Sequence, residues 1–254
     1  MKFVLGVVPY LNAKPLIVGL TDHSIVKIIF QPPSRLARSL EQDKVDAVIL
    51  PVAEFFKHKN YRFIPGISIS ARGKGESVKL FFRGDISQLK KVYLDPDSLT
   101  SNILVRLILL KKYGLSRCPS GPVFQNRRIS TLKDSNTGFV SIGDRTFKFQ
   151  NKPYRSIDLA EEWFKWTGLS FVFALWVYKK GGKIGRRPAI LQESKKIGLK
   201  HLQEISVKES RRLKLPQKFC LHYLTKCIKY DLGRSELAGL KKFKQLTQEM
   251  ELLK

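Results

Sequence analysis

Along the chain, short unbroken apolar runs alternate with stretches whose apolar residues recur every three or four positions. The first pattern suits strands buried on both faces, the second amphipathic helices. Residues 2–8, 25–30 and 45–50 are such runs, and helical segments at 16–20, 33–40 and 53–57 follow them. Between the first strand and its helix, Tyr10, Leu11, Asn12, Ala13, Lys14 and Pro15 read as a loop. Strands alternating with helices predict βαβ units and a parallel sheet. Residues 64–71 and 78–82 read as two strands joined by Arg72, Gly73, Lys74, Gly75 and Glu76. A second block follows, with strands at 92–94, 123–124 and 138–142 and a helix opening near Thr100. Residues 158–167 read as a helix, and FVFALWVY at 171–178 as an apolar strand returning to the first block. A basic, glycine-rich loop at 179–187 leads to helices at 190–201, 206–213, 216–230 and 235–253. The fold class is α/β, divided at 1–84 and 85–178, with 179–254 as a crossover and C-terminal helices packing on the first lobe.

Candidate chemistry gathers where strands end, since open α/β sheets hold ligands at their carboxyl ends. The stretch 93–114, YLDPDSLTSNILVRLILLKKYG, is a strand, a tight polar turn and a helix. Thr100 and Ser101 stand at the helix start, and Lys111, Lys112 and Gly114 close it. Two roles are open to the hydroxyls: capping the helix, or holding a carboxylate or phosphate against free N–H groups. Asn12 is equally a turn asparagine or a ligand contact. Gly143 and Asp144 immediately follow the 138–142 strand.

Charge adds an expectation about partners. The 254 residues carry 47 Lys and Arg against 21 Asp and Glu, a formal net charge of +26. Such a field favours anions. The cations are dispersed, with no RNA-reading motif or zinc-finger spacing, so no specific nucleic-acid partner is expected. Cys118, Cys220 and Cys227 cannot all pair within one chain, which points to reduced thiols and a cytoplasmic setting. Cys220 and Cys227, seven apart, read as small apolar groups on one helix face. His23, His58, His201 and His222 show no metal-binding spacing, so no metal is assigned. The opening MKFVLGVVPY reads as a strand rather than a signal peptide, and no apolar run is long enough to span a membrane.

Several blocks then occur in order: GVVPYLNAKPL at 6–16, VDAVILPVAEFF at 45–56, SARGKGESVKL at 70–80, LDPDSLTSNILVRLIL at 94–109, IGD at 142–144 and DLAEEWFKWTGLSFVFALW at 158–176. With them the chain resembles the chorismate dehydratases of the futalosine route to menaquinone. The resemblance covers residues 3–178 well and the tail more loosely. It implies a type II periplasmic-binding-protein-like fold, two α/β lobes with ligand in the cleft between them. It also implies that Asn12, Ser77, Thr100 and Ser101 face that cleft, with Asp144 at the lip of the second lobe. Substrate contacts are therefore expected from Tyr10, Asn12, Ser77, Thr100, Ser101 and Gly143, and catalytic roles from Asn12, Ser77 and Asp144. Two departures stand out. Ser170 replaces the usual proline, and Glu76 sits beside Ser77, from which strand alternation should turn it away.

The activity so implied is loss of water from chorismate, giving 3-[(1-carboxyvinyl)oxy]benzoate, with no cofactor. The substrate is a small dianion, which suits hydroxyls, amides and a helix start in a positive field. The matched residues include no histidine or marked lysine base. Either the substrate's enolpyruvyl carboxylate takes the C3 proton, or Asp144 does. The competing readings are 1,4-dihydroxy-6-naphthoate synthase of the same route, a non-catalytic solute-binding protein, and a nucleic-acid-associated protein. The VPYLNAKPL loop at 8–16 favours the dehydratase over the sister enzyme.

Overall fold

The structure is a computed structural model and describes residues 2–20, 24–115, 121–132, 134–150, 152–182, 184 and 187–253. The chain begins with β1 (Phe3–Val7), β2 (Val26–Phe30), α1 (Pro33–Glu41), β3 (Ala47–Pro51), α2 (Val52–Lys57) and β4 (Tyr61–Ala71). Next come β5 (Val78–Phe82), β6 (Lys91–Leu94), α3 (Leu99–Leu107), β7 (Val123–Asn126), β8 (Thr137–Ile142), β9 (Arg155–Asp158) and α4 (Leu159–Thr167). After β10 (Phe171–Lys179) the tail forms α5 (Arg187–Lys200), α6 (Leu202–Leu213), α7 (Gln217–His222) and α8 (Arg234–Glu249).

Two five-stranded sheets result, ordered β2-β1-β3-β10-β4 and β7-β6-β8-β5-β9. The two share one plan. In each, three parallel strands are followed by an antiparallel strand that has crossed from the other half of the chain, here β10 and β5. This is the two-lobed layout that the resemblance implies. Leu5, Val7, Ala47, Val48 and Leu50 are fully buried, as continuous apolar runs in a covered parallel sheet should be.

The sheets do not divide where the sequence boundaries fall. Residues 78–82 pair with β8 and β9 in the second sheet, and 171–179 pair with β3 and β4 in the first. The crossings therefore lie at 71–78 and 158–171, not at 84 and 178. The strand β9 also escaped the sequence pattern, because RSID carries one aliphatic residue and lies at a sheet edge. Residues 216–230 are not one helix. After α7 and a π-helical turn at Tyr223–Cys227, the chain extends and pairs with β4. There Ser68 and Ser70 N–H donate to Tyr230 and Lys229 carbonyls at 2.9 and 3.0 Å, covering an otherwise open sheet edge.

The tail packs on the first lobe and also reaches the second. Phe147, just past β8, meets Phe219 and Tyr223 edge-to-face at ring separations of 5.0 and 5.1 Å. On the first lobe side the contact is backbone-close at two glycines. A Cβ on Gly198 would lie 1.8 Å from the Pro15 carbonyl oxygen, and one on Gly239 would lie 1.9 Å from that of Ser170. Ser170 also explains its own departure: its hydroxyl lies 3.0 Å from that of Ser235 at the start of α8, a contact proline lacks. Cys220 and Cys227 are buried and unbridged; Cys118 and His23 lie outside the described residues. Among the described residues, no helix is long and apolar enough to cross a membrane, and no cluster of three metal-ligating side chains forms.

Gly239→Ala should displace α8 and cost about 1–3 kcal/mol, the usual range for overpacking a filled core. A urea titration checks this through a lower midpoint at unchanged slope; an unmoved midpoint would show that the Leu169–Ser170 backbone yields freely.

Candidate active site

The carboxyl ends of β1, β3 and β8 and the N-terminus of α3 converge on one cleft between the sheets. Its cavity volume is about 60 Å3, a narrow cleft between the two walls. Tyr10, Asn12, Ser77, Thr100, Ser101 and Gly143 all line it, together with Ser98 and the apolar Val8, Ile49, Ile69, Val78, Ile142 and Phe173. Asp144 does not.

At α3 the capping question resolves through a third hydroxyl. Ser98 is the N-cap: its Oγ accepts from Ser101 N–H at 3.2 Å and donates to Ser101 Oγ at 2.8 Å. Ser101 therefore keeps its own proton available to a ligand. Thr100 does not cap α3 either. Its Oγ1 accepts from Ala53 N–H, 3.0 Å away at the start of α2, so it joins the two lobes. Asp95 and Asn102 lock the turn that presents this helix. Asn102 Oδ1 accepts from Asp95 N–H at 3.0 Å, and its amide donates back to the Asp95 carbonyl at 2.7 Å. The buried Asp95 carboxylate is held by Arg128 and Arg145.

Asp144 is a second joint. Its Oδ1 accepts from Leu11 N–H at 2.8 Å, and its Oδ2 pairs with Arg212 of α6 at 2.7 Å. One carboxylate thus grips the first lobe's loop, the second lobe and the tail. Burial pushes its pKa up, while Leu11 N–H and Arg212 pull the other way. Beside it, Gly143 adopts φ +60°, and a Cβ there would lie 2.8 Å from the Tyr10 ring. Glycine is needed on both counts.

Ser77 opens β5 and is almost wholly buried. The turn before it is fixed by Asp158, whose two oxygens accept from Gly75 N–H at 3.1 Å and Glu76 N–H at 2.6 Å. The same carboxylate caps α4 through Ala160 and Glu161 N–H. Glu76 takes φ +60° in this turn and directs its carboxylate to Lys79 at 2.6 Å; it is not among the cleft-lining residues. The Ser77 Oγ accepts from the Tyr223 hydroxyl at 2.8 Å. Asn12 lines the cleft from a 3-10 helix at Leu11–Leu16, where a loop was expected, and its buried Oδ1 has no partner.

Two features were not read from the sequence. One is Tyr223, whose tail segment gave only a helical pattern. The other is the neutrality of the lining, which contains no charged side chain. The positive field expected in the crevice is not supplied by its walls.

Comparison with known proteins agrees with this architecture. The sequence profile of the menaquinone-biosynthesis family matches residues 3–249. The chain belongs to this family. It is 30% identical to the chorismate dehydratase of Thermus thermophilus over 95% of its own length and 93% of that protein's. To the chorismate dehydratase of Campylobacter jejuni it is 24% identical, with 98% and 99% covered. Among solved structures it is similar to a protein from Archaeoglobus fulgidus, at TM-score 0.75 and 14% identity over 99% of this chain and 98% of that one. It is also similar to a Candida albicans gene product with the generic periplasmic binding protein fold, at TM-score 0.69 and 13% identity over 100% and 93%. The periplasmic aliphatic sulphonate binding protein of Escherichia coli has TM-score 0.66 and 11% identity over 99% and 93%. The fold of this family member is thus type II periplasmic-binding-protein-like.

Removing both oxygens of the Asp144 joint should free the Leu11 amide. Asp144→Ala is expected to speed hydrogen exchange at Leu11 at least tenfold, measured by NMR; unchanged protection would mean another acceptor holds that N–H.

Proposed function

We propose that the protein dehydrates chorismate to 3-[(1-carboxyvinyl)oxy]benzoate in this cleft, in a cytoplasmic setting that the unbridged Cys220 and Cys227 suit. One observation carries the reading. A mostly apolar, uncharged cavity gathers the Ser77, Thr100 and Ser101 hydroxyls and the unpartnered Asn12 Oδ1 near the N-terminus of α3. Family membership and the two relatives named for this reaction support it.

Each carboxylate of the substrate needs donors without a counter-ion in the walls. Ser101 O–H and the first N–H groups of α3 offer one seat. The elimination removes H⁺ from C3 and hydroxide from C4; they leave together as water, and the ring becomes aromatic without oxidation or reduction. A proton acceptor must stand near C3. Asp144 has both oxygens committed elsewhere and does not line the cleft. Tyr10 lines it, but burial and the nearby Asp97 raise its pKa above that of an ordinary tyrosine, so it stays protonated at neutral pH. The substrate's own enolpyruvyl carboxylate is then the base, and the protein contributes orientation and hydrogen bonds to the charge that develops. Positioning of this kind accounts for a lining without histidine, lysine or carboxylate.

Incubation with chorismate should produce the ultraviolet absorbance of a substituted benzoate. Binding without turnover would favour a solute-binding role, and neither binding nor turnover would remove chorismate as the ligand. Asp144→Asn should keep turnover within about tenfold; complete loss with intact affinity would make Asp144 the base. Ser101→Ala should weaken product binding by about 1–3 kcal/mol, the range for a hydrogen bond to a charged group, as read by titration calorimetry. Unchanged affinity would move the carboxylate seat elsewhere.

A further inference from the structure

Tyr223 sits where three distant parts of the chain meet. It opens the π-helical turn of the tail, its ring packs on Phe147 just past β8, and its hydroxyl donates to Ser77 Oγ at the start of β5. Turns of this type recur at functional sites because they re-aim a side chain that a regular helix would carry elsewhere. The ring has no freedom. It is 1% exposed, stacks on Phe219 at 6.5 Å and meets Phe147 edge-on at 5.1 Å. A hydroxyl so placed is deeply buried where a phenylalanine would fill the same volume without the cost of desolvating a polar group.

Proton accounting says what the hydroxyl does. Tyr223 has one proton and gives it to Ser77 Oγ. Ser77 therefore acts toward Tyr223 as acceptor, and its own proton is left for another partner. Asn12 lines the same cleft, and its Oδ1 is buried and unpartnered, an acceptor without a donor. The cleft thus receives one fixed donor from Ser77 and one free acceptor from Asn12. A single group satisfies both at once: an alcohol, which accepts from Ser77 and donates to Asn12.

We infer that Tyr223 is a positioning residue that sets Ser77 as donor, alongside the unpartnered Asn12 Oδ1 as acceptor, for the substrate hydroxyl that departs. This rests on the dehydratase reading for the identity of the alcohol, but the side-chain arrangement does not. Burial is the main reason the phenol stays protonated across the working range, so the polarity of the relay does not reverse with pH.

Tyr223→Phe keeps the ring and deletes the relay. With chorismate, kcat should fall at least tenfold while KM changes less than threefold. Combined with Ser77→Ala, it should add less than twofold to the loss that Ser77→Ala causes alone, because both act through one hydrogen bond. Wild-type kcat in Tyr223→Phe, or fully multiplicative losses in the double variant, overturns the inference. If wild-type protein does not turn over chorismate, the functional reading fails separately. The crystal structure of Tyr223→Phe then decides: a changed Ser77 rotamer supports the relay, and an unchanged rotamer overturns it. Should the phenylalanine form not fold, 3-fluorotyrosine at position 223 keeps the hydroxyl and strengthens it as a donor. An unchanged kcat there overturns the inference, and a shift of at least threefold at constant KM supports it.

Discussion

The structure turns on keeping a cleft closed without placing charge inside it. Asp144 does most of this by spending its carboxylate outside the cavity, on Leu11 N–H and Arg212. Thr100 makes the second tie, to Ala53 N–H, and the Tyr10 ring over Gly143 fills the remaining gap. Each tie joins the lobes through a backbone group or a glycine. Such contacts have little tolerance, since a Cβ or a rotamer change at any of them separates the walls.

A neutral lining has consequences for an anionic ligand. A lysine or arginine in the wall would hold a carboxylate strongly in the ground state, and uniform binding does not accelerate a reaction. Hydroxyls, amides and the end of a helix offer smaller, oriented dipoles that respond to where charge develops. The net charge of +26 acts at another distance. Arg128 and Arg145 stand close by but are neutralised by Asp95 and Asp97. Among the described residues, the remaining cations are not part of the cavity wall, and at that distance they draw anions toward the protein without fixing their pose.

The α/β class and most strand positions were legible because each depends on local pattern; the shared cleft came from the family resemblance. Continuous apolar runs mark β1, β3 and β10, and polar residues after strands mark Asn12, Thr100 and Ser101. What escaped depends on pairing between distant segments. The lobe boundary at 84 misplaced β5, since a strand's composition does not say which sheet receives it. Ser98 was passed over as cap because a turn of Asp, Pro, Asp and Ser offers several candidates, and only the hydroxyl geometry selects one. That Asp144 spends its oxygens on Leu11 N–H and Arg212 was equally hidden: Arg212 lies 68 residues away, on a helix whose cations look like solvated surface.

Tyr223 is the extreme case of the same limit. Its neighbours Leu221, His222 and Leu224 read as part of a helix, and nothing in that pattern separates a core tyrosine from one that reaches Ser77 across 146 positions. The hydroxyl becomes informative only with cleft-lining Ser77 Oγ 2.8 Å away. A core position that needed volume alone would accept phenylalanine, as Phe147 and Phe219 do around it. The oxygen at 223 is therefore the part that calls for a reason, and the cleft residue it touches, Ser77, supplies one. The tail then does more than cover the first lobe: by reaching between the sheets it sets Ser77 to donate into the cleft.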